Sequence, residues 1–229
     1  LPWKGRPGKI PRGDGNMPAD PSAAIYPRFA FIVEEPLVAR FFLLLQQGVK
    51  IRRRVGCSVD DFLRQELGAA PAMIEKIQSI MLDGRPVDEI EAAKIHDGSV
   101  LALSAAMPGL VGATLRRGGA YASFRSAITY HEAGKACASG DGWVSVKIFN
   151  LLMAELGPDL LRAGVLIRFS DLLSFLTERA DEFRHGCSAA LNDKSVDIGM
   201  LEGSTAIEGN DQVFFTVAVG PVNACLPKL

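Results

Sequence analysis

The chain has 229 residues, 48% hydrophobic and 22% charged, with a formal net charge of −1. These proportions describe a globular protein of one or two domains, and the near-neutral balance argues against gripping nucleic acid or an anionic membrane with the whole surface. Four cysteines (Cys57, Cys137, Cys187, Cys225) without C-x-x-C spacing and three isolated histidines (His96, His131, His185) argue against a disulfide framework or a zinc site, and fit a reducing cytosol.

Residues 1–36 read as a flexible N-terminal extension. Its first sixteen residues are rich in glycine, proline and basic side chains, lack the apolar region of a secretory signal, and run directly into Met17, the expected natural start. The apolar run "FAFIVEEPLVARFFLLLQQ" is interrupted by Glu34, Glu35, Pro36 and Arg40, so it falls short of the roughly 20 apolar residues of a membrane span. "ARFFLLLQQ" reads as β-rich and, with "KIRRRV", as a hairpin. Val49, Ile51 and Val55 share one face of the second strand, and Lys50, Arg52 and Arg54 share the other. In "GCSVDDFLRQELG", Ser58 and Asp61 form a capping-box pattern, Val59, Phe62, Leu63 and Leu67 form an amphipathic stripe, and Gly68 closes the helix. "IQSIMLDGRPV" predicts two strands about an Asp83-Gly84 turn, and "IHDGSVLALSAAMPG" a turn at Asp97-Gly98 before a last buried strand.

A similar order returns beyond residue 141. "WVSVKIFNLLMAELG" places Val144, Val146 and Ile148 on one face, and "GVLIRFS" is a second strand with Val165, Ile167 and Phe169 inward. "SDLLSFLTERADEF" is a helix capped by Ser170, with Leu172, Leu173, Leu176 and Phe183 toward the core. "CSAALND" and "VDIGML" flank an Asn192-Asp193 turn, and "IEGNDQVFFTVAVG" closes the unit. Asp97 precedes Gly109 by twelve residues, as Glu208 precedes Gly220. The matched order and turn placement predict an internal duplication.

These residues resemble the β-grasp sulfur carriers, the ubiquitin-like family that includes the molybdopterin synthase small subunit and the thiamine-pathway sulfur carrier. The resemblance lies in the D-G-x-x-strand-G ending, the "LDGRPV" hairpin before it, the position of "SVDDFLRQELG", and "VKIFNLLMAELG", which is similar to the family's opening strand and turn. It implies an α+β fold of two tandem β-grasp domains, 37–109 and 142–222, joined by a connection at 110–141 and followed by a tail at 223–229. In the family a terminal glycyl carboxylate is adenylated and converted to a thiocarboxylate. The tail must be slender enough to thread a partner enzyme. The carrier-tail equivalents here are Gly109 and Gly220, preceded by Pro108 and Val219 where the family has glycine, and neither ends this sequence.

The resemblance therefore implies a cytoplasmic sulfur-carrier-like protein of molybdenum cofactor biosynthesis, with no catalytic residue, cofactor or metal of its own. Its implied partner is a protein, either an adenylating enzyme or a molybdopterin synthase large subunit, and its carrier chemistry is lost or dependent on processing. The alternative is a non-carrier interaction or scaffold module. A cysteine nucleophile would need a positioned base, which the spacing does not place beside Cys57 or Cys187.

"LRRGG", with its internal diglycine Gly118-Gly119, follows the last strand by too many residues for a carrier tail and reads as a loop. The connection interleaves Arg116, Arg117 and Arg125 with Tyr121, Phe124 and Tyr130, and is too long to be an ordinary loop of a compact fold. Its aromatics are expected to dock on a domain while its arginines stay solvated. It should be poorly protected, with trypsin cutting first at Arg116, Arg117 or Arg125. Lys50, Arg52, Arg54, Arg116 and Arg117 are the candidate partner-binding residues.

Overall fold

The computed structural model describes residues 26–132, 139–183, 185–197 and 211–221. Among these, the chain is an α+β protein with one mixed sheet of ten strands and seven α-helices. Strand β1 is Arg28–Val33, β2 Val49–Val55, β3 Ser79–Leu82, β4 Arg85–Pro86 and β5 Val100–Ser104. Later in the chain come β6 Gly140–Phe149, β7 Val165–Arg168, β8 Cys187–Leu191, β9 Lys194–Val196 and β10 Gln212–Val219. The helices are α1 Glu35–Val38, α2 Phe42–Gln47, α3 Val59–Asp61, α4 Pro71–Lys76, α5 Gly109–Leu115, α6 Leu152–Ala163 and α7 Phe169–Glu178.

The strand order is β4-β3-β5-β6-β2-β7-β10-β1-β8-β9. Outward from the β2/β7 seam, the two halves read β2-β6-β5-β3-β4 and β7-β10-β1-β8-β9. Their pairings match step for step: antiparallel, parallel, antiparallel, antiparallel. In both halves the strand at the seam leads into a helix and then a hairpin, β3/β4 in one and β8/β9 in the other. The seam is narrow, with Lys50 opposite Leu166.

This arrangement revises the expected organisation. One continuous sheet replaces two separate ones, and neither half is contiguous in sequence. Strand β6, expected to open the second unit, lies between β5 and β2 of the first half. Strand β1, expected within a flexible extension, pairs with β10 and β8 in the second. Its sequence "RFAFIV" alternates, so Phe29, Phe31 and Val33 reach the core while Ala30 does not.

Local structure follows the pattern in some places and departs in others. "ARFFLLLQQ" is helical, running through α1, a 3-10 turn at Ala39–Phe41 and α2 up to Gly48. An unbroken apolar run does not distinguish strand from helix. Pro36 in the first turn and the burial of Val38, Phe41 and Leu45 at spacings of three and four decide for helix. Ser58 caps α3 as expected, accepting a hydrogen bond from the Asp61 amide at 3.0 Å, and the helix continues as a π-turn over Phe62–Glu66. Helix α6 occupies "LMAELGPDLLRA", where the sequence suggested only a strand and turn. Helix α7 starts one residue before the expected cap, and Ser170 makes no capping bond. The second hairpin returns at Lys194–Val196, ahead of the expected strand. Glu208-Gly209, Cys137 and Cys225 lie outside the described residues.

One core cluster spans both halves. It takes alternate residues from most of the strands, among them Val49, Ile51, Leu101, Val146, Val213 and Phe31, and packs them under the helices. Phe41 joins the layers, with Phe183, Phe31 and Phe215 rings centred 4.9, 5.3 and 5.6 Å from its own.

Candidate interaction surface

Strands β5 and β6 are parallel neighbours, so the chain between them must cross from one end of the sheet to the other. That requirement explains the length of the connection. It leaves β5 through Ser104, whose hydroxyl donates to the Ala106 carbonyl at 3.0 Å, and turns at Gly109 into α5. Gly109 has φ +73°, a conformation that a residue with a Cβ seldom adopts. The Arg117 amide donates to the Gln78 carbonyl at 2.7 Å, and the Gly118 amide to Asp88 Oδ1 at 3.1 Å. A 3-10 helix over Ala122–Ile128 follows, after which the Tyr130 amide donates to the Pro86 carbonyl at 2.8 Å. Glu132 then accepts from the Lys94 amide at 3.1 Å and lies 3.4 Å from His96. The segment is thus fastened along the β3/β4 edge, which revises the expectation of a poorly protected loop.

Arg125 is the main fastening. It is 5% exposed, and its guanidinium makes a bidentate pair with Asp88 at 2.7 and 2.9 Å. It also donates to the Thr114 carbonyl at 2.6 Å, the Arg116 carbonyl at 3.2 Å and the Thr129 hydroxyl at 3.0 Å. Every arm of the fork has an acceptor, which offsets the cost of burying its charge. Burial opposes ionisation of Asp88. The Arg125 hydrogen bonds, the Gly118 amide and the charges of Arg125 and Arg117 outweigh it and hold the carboxyl below its ordinary value.

Tyr130 packs against the core cluster as expected, whereas the other two aromatics do the reverse. Phe124 is 81% exposed and Tyr121 46%, with ring centroids 6.1 Å apart. Tyr121 is the residue before the 3-10 helix and its ring neighbours that of Phe124, while Arg125, the next residue in a three-residue turn, is rotated about a third of a circle from Phe124, toward Asp88. On α5, Leu110 is 74% and Val111 62% exposed. With Met107 and Ile128, six of the ten most exposed large apolar side chains among the described residues fall between 107 and 128. Scattered exposed apolar residues are ordinary; such a concentration on one anchored segment makes it the candidate interaction surface.

The remaining candidates divide. Arg116 borders this surface, donating to Gln78 Oε1 at 2.7 Å, and Arg117 reaches the Ile74 carbonyl at 3.5 Å. Lys50, Arg52 and Arg54 lie on the coreless face of β2, opposite Ser145, Trp143 and Asp141 of β6. Three strand steps, about 14 Å, separate β2 from β3, so the two basic groups do not form one site. Gly109 opens a helix. Gly220 continues the sheet, donating its amide to the Val33 carbonyl at 3.0 Å. By pairing, the counterpart of β5 is β1, and that of β10 is β6; Gly109 and Gly220 therefore do not occupy equivalent places.

Burial, with Glu66 and Asp61 nearby, raises the Cys57 thiol, and burial pushes Cys187 up to about 12. Neither is poised as a nucleophile. Among the described residues no three His, Cys, Asp or Glu side chains converge to hold a metal, and no helix is long and apolar enough to cross a membrane. Fold and surface together define an α+β protein with a doubled sheet and an anchored apolar ridge. No family model, curated protein or solved structure matches the chain.

Proposed function

We propose that the chain is a protein-binding relative of the β-grasp sulfur carriers, cytoplasmic and without catalytic residues, in which the segment after the first-half hairpin serves as a contact surface instead of a carrier tail. The observation that carries this reading is the apolar ridge of Leu110, Val111, Tyr121 and Phe124, displayed on a segment held by the buried Arg125–Asp88 pair. The order strand, helix, hairpin in both halves supports the kinship, as two β-grasp-like units that have exchanged strands within one sheet. A slender tail is incompatible with Gly109 as the start of a helix. An adenylating enzyme or a molybdopterin synthase large subunit is the partner class the resemblance implies.

The test is photo-crosslinking from position 124 in cells of the native host, with position 194 on β9 as control. A discrete protein adduct from 124 and none from 194 is expected; equal labelling, or none from 124, overturns the reading. Intact-mass measurement on the same material checks the carrier question. A chain ending at Gly220 or Gly119 as a thiocarboxylate would restore carrier chemistry.

A further inference from the structure

The ridge has a charge character that narrows what binds it. Between Asp97 and Glu132 the sequence contains no aspartate or glutamate, and it contains three arginines. Arg125 is neutralised by Asp88. Arg116 and Arg117 hydrogen-bond only to neutral acceptors, the Gln78 side-chain oxygen and the Ile74 carbonyl; the Arg117 charge also acts on Asp88 through space, and neither arginine forms an ion pair among the described residues. Both follow α5 directly, so two positive charges are concentrated at the end of the helix that carries Leu110 and Val111. On the other side, the 3-10 helix borders a cleft of about 270 Å³ lined by Glu89, Ser126, Tyr130 and Glu132. The positive character is therefore confined to the α5 side.

We infer that the partner presents an acidic amphipathic segment, its apolar side on Leu110, Val111 and Phe124 and its carboxylates against Arg116 and Arg117. This rests on the protein-binding reading and names the partner's chemistry. Apolar burial supplies the affinity for such a contact, and the rim charges set orientation and reject basic competitors. A second copy of this chain would bring Arg116 and Arg117 near their own equivalents across a two-fold contact centred on the ridge, an unfavourable like-charge arrangement.

The probes are two labelled amphipathic helical peptides with the same leucine and phenylalanine face, one carrying glutamates on the flanks and the other lysines. They are titrated into the full chain by fluorescence anisotropy at low and at physiological salt. The acidic peptide should bind about tenfold or more tightly than the basic one, as two rim pairs at modest individual strength allow. The preference should shrink with salt and reverse in Arg116→Glu/Arg117→Glu. Arg116→Gln/Arg117→Gln, which retains hydrogen-bond donors, should abolish it without unfolding the chain. Phe124→Asp should lose both peptides.

Equal binding of the two peptides, both lost in Phe124→Asp, would overturn the acidic chemistry and leave the protein-binding reading standing. Binding of neither peptide would overturn the inference. So would self-association in sedimentation that disappears in Phe124→Asp, with a second copy then the occupant.

Discussion

The Arg125 guanidinium sits against the Asp88 carboxylate at 2.7 Å, and the arginine side chain is the more deeply buried of the two. One pair therefore ties the crossover between β5 and β6 to the loop after β4. Replacing Arg125 with alanine leaves a partly buried carboxylate and frees two carbonyls, at a cost of about 3 kcal/mol. For a chain of this size the expected loss of Tm is on the order of 6–12 °C by calorimetry. The segment should also become the first site of trypsin cleavage, at Arg116 and Arg117, where the wild-type chain resists. Arg125→Lys should recover little, because an ammonium cannot reproduce the fork.

The same pair sets an acid dependence. The folded Asp88 carboxyl lies below its unfolded value, so its contribution is fully present above the unfolded value, near pH 4, and is lost as pH falls through the folded one. The Tm difference between wild type and Asp88→Asn should be constant from pH 5 to 7 and shrink below about pH 4. A difference that stayed constant into the acid range would exclude the pair as its source.

The exchanged strands predict that the halves do not fold apart. A fragment of residues 1–132 lacks β6 and would expose the edges of β2 and β5. A fragment of 139–229 lacks β1 and would expose β10 and β8. Neither should show cooperative unfolding by circular dichroism, and mixing the two should restore it. Cooperative unfolding of either fragment alone would count against the topology.

Ser58→Ala removes the one side-chain cap of α3 and should cost about 1 kcal/mol. Chemical denaturation should register it as a lower midpoint with an unchanged slope. Asp61, bonded to the Ser58 hydroxyl at 2.8 Å, belongs to the same turn, so Ser58→Ala and Asp61→Ala should combine to less than their sum.

Legibility in the sequence followed the range of the interaction responsible. Alternation over a few residues marked Val49, Ile51, Val144, Val146 and Ile148 as core, because strand geometry alone sends alternate side chains to one face. The cap at Ser58 and the turns at Asp83-Gly84 and Asn192-Asp193 were equally readable. All four turn residues have positive φ, which their side chains or lack of one permit. The nature of "ARFFLLLQQ" was not readable, because a continuous apolar run satisfies a buried strand and a buried helix alike.

For the ridge, the sequence displayed the mixture of arginines and aromatics without indicating which would be buried. Arg125 is inside because Asp88, 37 positions earlier, supplies the counter-charge, and Phe124 is outside because the 3-10 turn aims it away. By itself, then, the sequence determined an α+β chain, the buried faces of β2 and β6, the cap at Ser58 and the hairpin turns, since these depend on neighbours within about one turn of chain. Phe169, expected inward on a strand, instead opens α7, and Ser170 is no cap. Only the tertiary structure decided that β6 serves the first half and β1 the second. An alternating strand specifies which of its faces is buried and leaves its hydrogen-bonding edges open to any partner of suitable register, so that choice belongs to the packing of the whole sheet.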